Sequence, residues 1–350
     1  MYDTDTIKES NDCRIVAERY FGPPHQHTAQ TLVWACPFHA ERTPGGFNVY
    51  KDGYKCFSCG ANGDAIGLVM EMERCDFRQA ITMLGGGQPV SPERQVQIAR
   101  EAAERTARDL EEKIRQAQKA LEDLRKAQTW ERYHDEMDDR ARQMWNARGI
   151  TDGFIDLWQL GYSEDYTLWR KDAGAWVDWW HSPTLTIPVW GNGWQVNNVK
   201  HRLVNAPPDG GKYHQEKRNV PAAPFVCNPD VNKGPLFLAE GEIKAMNVYQ
   251  VLDDPRWQVE GLPAARPDDS IWAQFDGYEP VYLCLDPDAK IRPVSQDSKP
   301  RLSAVENAIH KLGSGRVRLV DLPDKIDDMI NQNGLGKDWV KLVIRQARRI

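Results

Sequence analysis

The sequence predicts an α/β protein built in pieces: a small metal-stapled ribbon, a long helical linker, and a mostly parallel sheet flanked by helices. Three observations predict it. First, Val281 to Leu285 is an unbroken apolar run that ends in Asp286-Pro287-Asp288, the pattern of a strand buried on both faces that delivers two acids where it leaves the sheet. Second, strand patterns at 236–240, 281–286 and 316–322 alternate with helical patterns at 242–252 and 302–312, which implies right-handed crossovers and a parallel sheet. Third, Cys36-x2-His39 and Cys56-x2-Cys59 flank a short hairpin pattern, the spacing of a small domain held by one ion.

A length of 350 residues allows two or three domains. The breaks expected are a ribbon at 1–88, a helical linker at 89–140, a mixed unit at 141–228 and the sheet unit at 229–350. No run of about 18 apolar residues occurs, so no membrane span is expected. The acidic, polar stretch from Met1 to Thr6 is unlike a secretory signal peptide, and the expected location is the cytoplasm. A net charge of -6 means that any nucleic-acid binding must come from local basic patches. Of seven cysteines, Cys36, Cys56 and Cys59 cluster with His39, while Cys13, Cys75, Cys227 and Cys284 lie scattered in apolar surroundings. That is a metal-site pattern and not a disulfide framework.

In chain order, residues 7–20 predict one helix, capped by Asp3 or Thr6. A strand follows at 31–39, then a hairpin at 47–50 and 54–57 around Lys51-Asp52-Gly53. Asp64 predicts the cap of a helix at 65–73, Asp76 that of one at 77–84, and Gly85 to Gly87 close the unit. From Val96 to Leu124 apolar residues recur every three or four positions among Glu, Arg, Lys and Gln, which predicts one long amphipathic helix. Its seam is rich in Ala, which buries little area, so a solvated linker is expected in preference to a coiled-coil dimer. Short helices follow at 141–147 and 151–158, then a hairpin at 185–190 and 194–199. Lys200, Arg202 and Lys212 fall after it in what reads as a basic loop. A basic helix at 337–350 ends the chain.

Two sites carry chemistry. Three thiolates and one imidazole, sixteen residues apart in two pairs, suit a closed tetrahedral structural Zn²⁺ at Cys36, His39, Cys56 and Cys59. Basic and aromatic residues alternate around it, a pattern suited to single-stranded bases. Phe47 and Phe57 are expected in the ribbon core, and Arg42, Lys51 and Lys55 against nucleic acid. The second site gathers Glu240, Asp286, Asp288 and Asp327 at the carboxyl edge of the sheet, where clustered acids call for a cation. Mg²⁺ or Mn²⁺ is the hard ion that oxygen ligands and phosphates share. Acids at strand ends also cap helices, a competing role for Asp327 and Asp328.

These residues resemble a known family. Trp34-Ala35-Cys36-Pro37-Phe38-His39, Thr43-Pro44, Tyr54 to Gly60 and Asn62-Gly63-Asp64 are similar to the CHC2 zinc-binding domain of DnaG-type primases. Arg148-Gly149-Ile150 and Leu160-Gly161-Tyr162 resemble the opening of that family's RNA polymerase core. Glu240-Gly241 with Asp286-Pro287-Asp288 resembles the TOPRIM signature, and Leu322-Pro323-Asp324 to Asp328 the third acidic motif. The resemblance covers most of the chain outside 90–130, with motifs in the family's order. It implies a compact primase, of the kind phages and plasmids encode, that synthesises short RNA primers on single-stranded DNA by two-metal nucleotidyl transfer. Glu240 would be a metal ligand or general base, and Asp286, Asp288 and Asp327 metal ligands. Lys200, Arg202 and Lys212 would meet template or nucleotide. Single-stranded DNA, ribonucleoside triphosphates and a replicative helicase are the partners implied. The acids alone also allow a TOPRIM-type nuclease, and a catalytically idle DNA-binding accessory module is the third alternative.

Overall fold

A computed structural model describes the chain apart from residues 1–3, 29, 41–44, 87–91, 173–174, 231–233, 293–301 and 333. The chain divides into two units, Met1–Gln116 and Ala117–Ile350.

In the first unit, α1 (Thr4–Ser10) and α2 (Cys13–Phe21) replace the single helix expected at 7–20. The break has a local cause. The Asp12 carboxylate accepts the Arg14 backbone N–H at 2.9 Å and so starts a new helix instead of continuing the old one. Five short strands follow: β1 (Gln26–His27), β2 (Leu32–Trp34), β3 (Phe47–Val49), β4 (Tyr54–Cys56) and β5 (Asn62–Gly63). They form one antiparallel sheet in sequence order. Asp64 caps α3 (Ala65–Glu73) by accepting the Gly67 N–H at 2.8 Å. Asp76 likewise caps α4 (Phe77–Gly86), accepting from Gln79 at 2.9 Å. Phe47 is fully buried among Phe21, Phe38 and Tyr54. Phe57 is not in this core: it is 64% exposed, because it follows β4 into the solvated knuckle turn. Gly85 and Gly86 of the expected terminator belong to α4, which runs past the expected end at 84, and Gly87 lies outside the described residues. The long helix is α5 (Pro92–Ala127). Its Val96, Leu110 and Ile114 are exposed, as a solvated helix requires.

The second unit begins with the end of α5, where Leu124 is fully buried, and continues through α6 (Thr129–Asp135), α7 (Asp139–Asn146) and α8 (Asp152–Leu157). An antiparallel sheet follows, made of β6 (Gly161–Asp172), β7 (Ala175–Gly191), β8 (Gln195–Leu203) and β9 (Tyr213–Gln215). The expected 185–199 hairpin is the core of it, but β6 was not foreseen, and β8 runs on through Lys200 and Arg202. Those two residues therefore stand on a strand and not in a loop. Lys200 is only 7% exposed.

The second sheet contains β10 (Phe225–Val226), β11 (Leu236–Glu240), β12 (Gln258–Leu262), β13 (Val281–Cys284), β14 (Val317–Leu319) and β15 (Arg348–Arg349), in the order β10-β12-β11-β13-β14-β15. The four central strands are parallel and the two edges antiparallel. Helices α9 (Glu242–Leu252), α10 (Asp269–Trp272), α11 (Ala304–Leu312), α12 (Ile326–Gln332) and α13 (Lys337–Gln346) flank it. The mostly parallel sheet is thus as expected, with β12 added. The terminal helix stops at Gln346, and Arg348 and Arg349 turn back to pair with β14.

Burial on both faces explains the apolar runs. Phe237 and Ala239 of β11 point into a core shared with Trp145, Trp158 and Phe225. Leu236 and Leu238 point the other way, into a core with Trp272, Phe275 and Leu283. Each such side chain contributes about 1.5–3 kcal/mol by leaving water. The first of these cores runs through both sheets, and so fixes the antiparallel sheet against the parallel one. Among the described residues no helix is long and apolar enough to cross a membrane.

Candidate metal centre and acidic cleft

The ribbon brings its four ligands together. Cys36 and His39 lie just past β2, Cys56 ends β4, and Cys59 follows in the next turn. Cys36 Sγ stands 3.8 Å from Cys59 Sγ, and Cys56 Sγ 3.7 Å from His39 Nδ1. All four ligand atoms lie within 4.8 Å of one another. A tetrahedral zinc with Zn–S of about 2.3 Å and Zn–N of about 2.0 Å needs edges of roughly 3.6–3.8 Å, so the donor set fits that ion. Backbone N–H groups support the sulfurs: Phe38 donates to Cys36 Sγ at 3.4 Å and Cys59 to Cys56 Sγ at 3.5 Å. Burial pushes the Cys36 thiol up. At Cys56 burial acts in the same direction, but the N–H groups of Cys59 and Ser58 outweigh it and hold this thiol below its ordinary value. Four protein ligands leave no open position, which marks a structural ion.

Beside the ribbon, Lys51 and Lys55 are exposed, and the Lys55 ammonium lies 5.3 Å from the centre of the exposed Phe57 ring. Arg42 lies outside the described residues.

The acidic site forms where β11 and β13 leave the parallel sheet. Gly241, at φ 95°, turns the chain sharply from Glu240 into α9. The Asp286 backbone N–H donates to Glu240 Oε2 at 3.1 Å. Lys244, in the first turns of α9, places its ammonium 2.9 Å from each carboxylate oxygen of Asp286. Lys325 stands 3.7 Å from the same group. Asp288 is exposed in the turn after Asp286. Asp327, in the first turn of α12, has a buried Oδ1 with no hydrogen-bond partner.

Burial raises the Glu240 carboxyl above its usual range; the Asp286 N–H opposes this, and the charges of Asp286 and Asp288 add to it. Burial likewise raises Asp327, against the pull of Lys244. At Lys244 burial works against the ammonium, but its bond to Asp286 prevails and raises it. The four expected acids therefore share one electrostatic neighbourhood. Among the described residues, however, their oxygens do not converge as closely as the Cys/His quartet does.

A cavity of about 420 Å³ opens beside these acids. Arg148, Lys200, Arg202, Lys212 and Tyr213 line it together with Glu240, Glu242, Lys244, Lys325, Asp327 and Asp328. The structure thus brings Lys200, Arg202 and Lys212 to the same cleft as Glu240 and Asp327. Asp286 and Asp288 are not among the residues that line it. Lys200 is ion-paired to Glu242, with both side chains nearly buried. Arg202 lies 5.8 Å from the Tyr213 ring and keeps a buried Nε without a partner. Two amides hold the backbone at Arg148: Asn247 and Asn331 donate to its carbonyl oxygen at 3.0 and 3.1 Å. Sequence reasoning missed Glu242, Lys244 and Lys325, and missed Arg148 as a cleft residue.

Residues 3–99 match the family described as the CHC2 zinc finger. The match covers the ribbon with its Cys/His quartet, and it is to the family its motifs resemble. The DNA primase of Deinococcus radiodurans is 30% identical over 135 residues, which is 38% of this chain and 20% of that protein. The DNA primase of Chlamydia pneumoniae is 33% identical over 154 residues, 42% of this chain and 24% of that one. The matched stretches therefore span about a fifth to a quarter of these relatives' own length. Among solved structures, the zinc-binding and RNA polymerase domains of the Aquifex aeolicus primase align over 100% of this chain and 86% of that one, at 19% identity and a TM-score of 0.48. The resemblance to DnaG-type primases is accordingly found by family and by relatives, as well as by motif.

Proposed function

We propose that this protein is a DNA-dependent RNA polymerase of the primase class, which joins ribonucleotides into short primers on single-stranded DNA during replication. The observation that carries the reading is the cleft itself. Five cationic and five acidic or phenolic side chains aside, the cavity is lined by Arg148, Lys200, Arg202, Lys212, Lys244 and Lys325 together with Glu240, Glu242, Asp327 and Asp328, at the carboxyl edge of a parallel sheet, which is where open α/β folds place their sites. Such a cleft suits a substrate that brings phosphate charge. The zinc ribbon and the primase relatives favour a nucleic acid template over other polyanions.

Mg²⁺ or Mn²⁺, held by Glu240, Asp286, Asp288 and Asp327, would supply Lewis-acid activation of the 3′-hydroxyl and charge neutralisation at the leaving pyrophosphate. The buried, unpartnered Oδ1 of Asp327 and the raised carboxyl of Glu240 fit such an ion, since each lacks a full complement of donors. The protein's own cations do the rest. Arg202 and Lys212 bind phosphate oxygens, and Arg148, fixed by the amides on its carbonyl, orients them. Lys200 contributes positive potential from its buried pair. Arg42, Lys51 and Lys55 hold the template on the ribbon, with Phe57 offering a face to a base. The working domains proposed are 1–88 for the ribbon, 89–140 for the linker, 141–228 for the first part of the core and 229–350 for the TOPRIM part. The partners proposed are single-stranded DNA, ribonucleoside triphosphates and a replicative helicase, in the cytoplasm.

A gel assay separates joining from cutting. The full chain is incubated with labelled ribonucleotides, unlabelled single-stranded DNA and Mg²⁺ or Mn²⁺, and in parallel with end-labelled DNA. Short labelled RNA with intact DNA is the expected result. Shortened DNA with no RNA would replace the proposal by the nuclease alternative, and neither product would leave only the idle DNA-binding module.

A further inference from the structure

We propose that Lys244 is a built-in cation of the acidic site, a positioning residue that takes the place of one divalent ion, so that the cleft takes up a single metal where two would otherwise bind. The inference rests on the functional reading above and alters its two-metal form.

The geometry carries it. Lys244 Nζ is 2.9 Å from both oxygens of Asp286, and this carboxylate is only 7% exposed. Both of its oxygens are therefore taken by one ammonium. Lys325 adds a second positive charge 3.7 Å from Oδ2. Glu240 Oε2 is committed in part to the Asp286 N–H at 3.1 Å. Asp327 Oδ1 is a buried acceptor without a donor among the described residues, and Asp327 shares the cleft with Glu240. The remaining cation position would then lie at Glu240 and Asp327, which line the same cleft, while the Lys244 ammonium occupies the position on Asp286.

Two catalytic metals usually stand about 3.5–4 Å apart across a shared carboxylate. An ammonium at hydrogen-bond distance from Asp286 puts a charge of the same sign in that place. A second divalent ion there would have to displace the ammonium or bear the repulsion of its like charge at close range. Lys244 supplies charge without an open coordination position. It also lines the cleft, so its remaining donor capacity faces the space where a triphosphate would lie. Its role would then be to neutralise Asp286 and to position phosphate oxygens, leaving hydroxyl activation to the one metal.

The test counts ions and does not depend on turnover. Zinc-loaded full-length protein is titrated with Mn²⁺, and free Mn²⁺ is read by electron paramagnetic resonance, for the wild type, Lys244→Met and Lys244→Asp. Far-UV circular dichroism confirms the fold. Expected are one bound ion in the wild type, a second in Lys244→Asp, and in Lys244→Met a second ion or at least about tenfold tighter binding, a change of roughly 1.4 kcal/mol. If Lys244→Asp fails to fold, the near-isosteric Lys244→Met decides. Two ions bound by the wild type, or no difference between wild type and Lys244→Met, would overturn the inference while leaving the proposed function intact. Absence of binding in every form would overturn the metal reading of the acidic site and this inference with it.

Discussion

Replacing Lys200 by methionine keeps the length of the side chain and removes its charge. The site of the change is strand β8, where the ammonium pairs with Glu242, the first residue of α9, and the two side chains are 9% and 3% exposed. Losing one member of such a pair leaves a buried carboxylate without a counter-ion, which costs about 3–5 kcal/mol. Glu242 sits at a helix N-terminus, whose partial positive charge returns about 0.5–1 kcal/mol. The net loss expected for Lys200→Met is therefore about 2–4 kcal/mol, a large share of an ordinary domain's stability. Adding Glu242→Leu removes the orphaned charge, and the double variant should recover to within about 1 kcal/mol of the wild type. Urea unfolding followed by tryptophan fluorescence measures both. A single variant that loses less than about 1 kcal/mol, or a double variant no better than the single, would refute the view that Lys200 is held mainly as a buried partner of Glu242.

Other expectations concern separate parts of the molecule. Cys59→Ser should lose bound zinc by elemental analysis and abolish cooperative melting of the ribbon; unchanged zinc content would contradict the quartet. Glu260 is buried on β12, where among the described residues Gln258 donates to it at 2.9 Å, and burial raises its carboxyl to about 7. The folded state then binds the proton more tightly than the unfolded chain, so stability is full below pH 4.5 and falls as pH rises to about 7, by roughly 3 kcal/mol in all. Glu260→Gln should flatten that slope, and denaturation curves at pH 5 and pH 8 would show it; a slope unaltered by the substitution would count against the assignment. Gly149 holds φ 81°, and a Cβ there would meet the Asn247 side chain at 2.5 Å and collide with Asn331. Gly149→Ala should cost about 1–3 kcal/mol and disturb the Arg148 turn, and an unchanged melting temperature would contradict this.

What could be read from the sequence was local. Two Cys/His pairs with two-residue spacing need only adjacent turns to converge, and they do. Asp64 and Asp76 cap their helices because a cap is decided within three residues. The run Val281 to Leu285 is apolar because both faces of its strand are covered. What escaped depended on distant partners. Strand β12 carries Gln258 and Glu260, which resemble surface residues, yet it is buried throughout because these two pair with each other. Strand β6 was hidden by its charged, exposed ribbon, whose pairing to β7 supplies hydrogen bonds and little apolar signal. Lys200 looked like part of a solvated loop until Glu242, 42 residues away, was seen to hold it. Glu240 and Asp286 could be expected at neighbouring strand ends, and they meet there, but the lysine beside them was not legible, since no spacing rule marks Lys244 as the partner of Asp286. Phe57 was placed in the core by its apolarity, and the knuckle turn carried it out.

Incorporation of labelled ribonucleotides on single-stranded DNA by the wild type and Asp286→Ala bears most directly on the proposed function. Short template-dependent RNA from the wild type, reduced at least about 100-fold in the variant, is the expected result. Full synthesis by Asp286→Ala, or none by the wild type on any template, would contradict it.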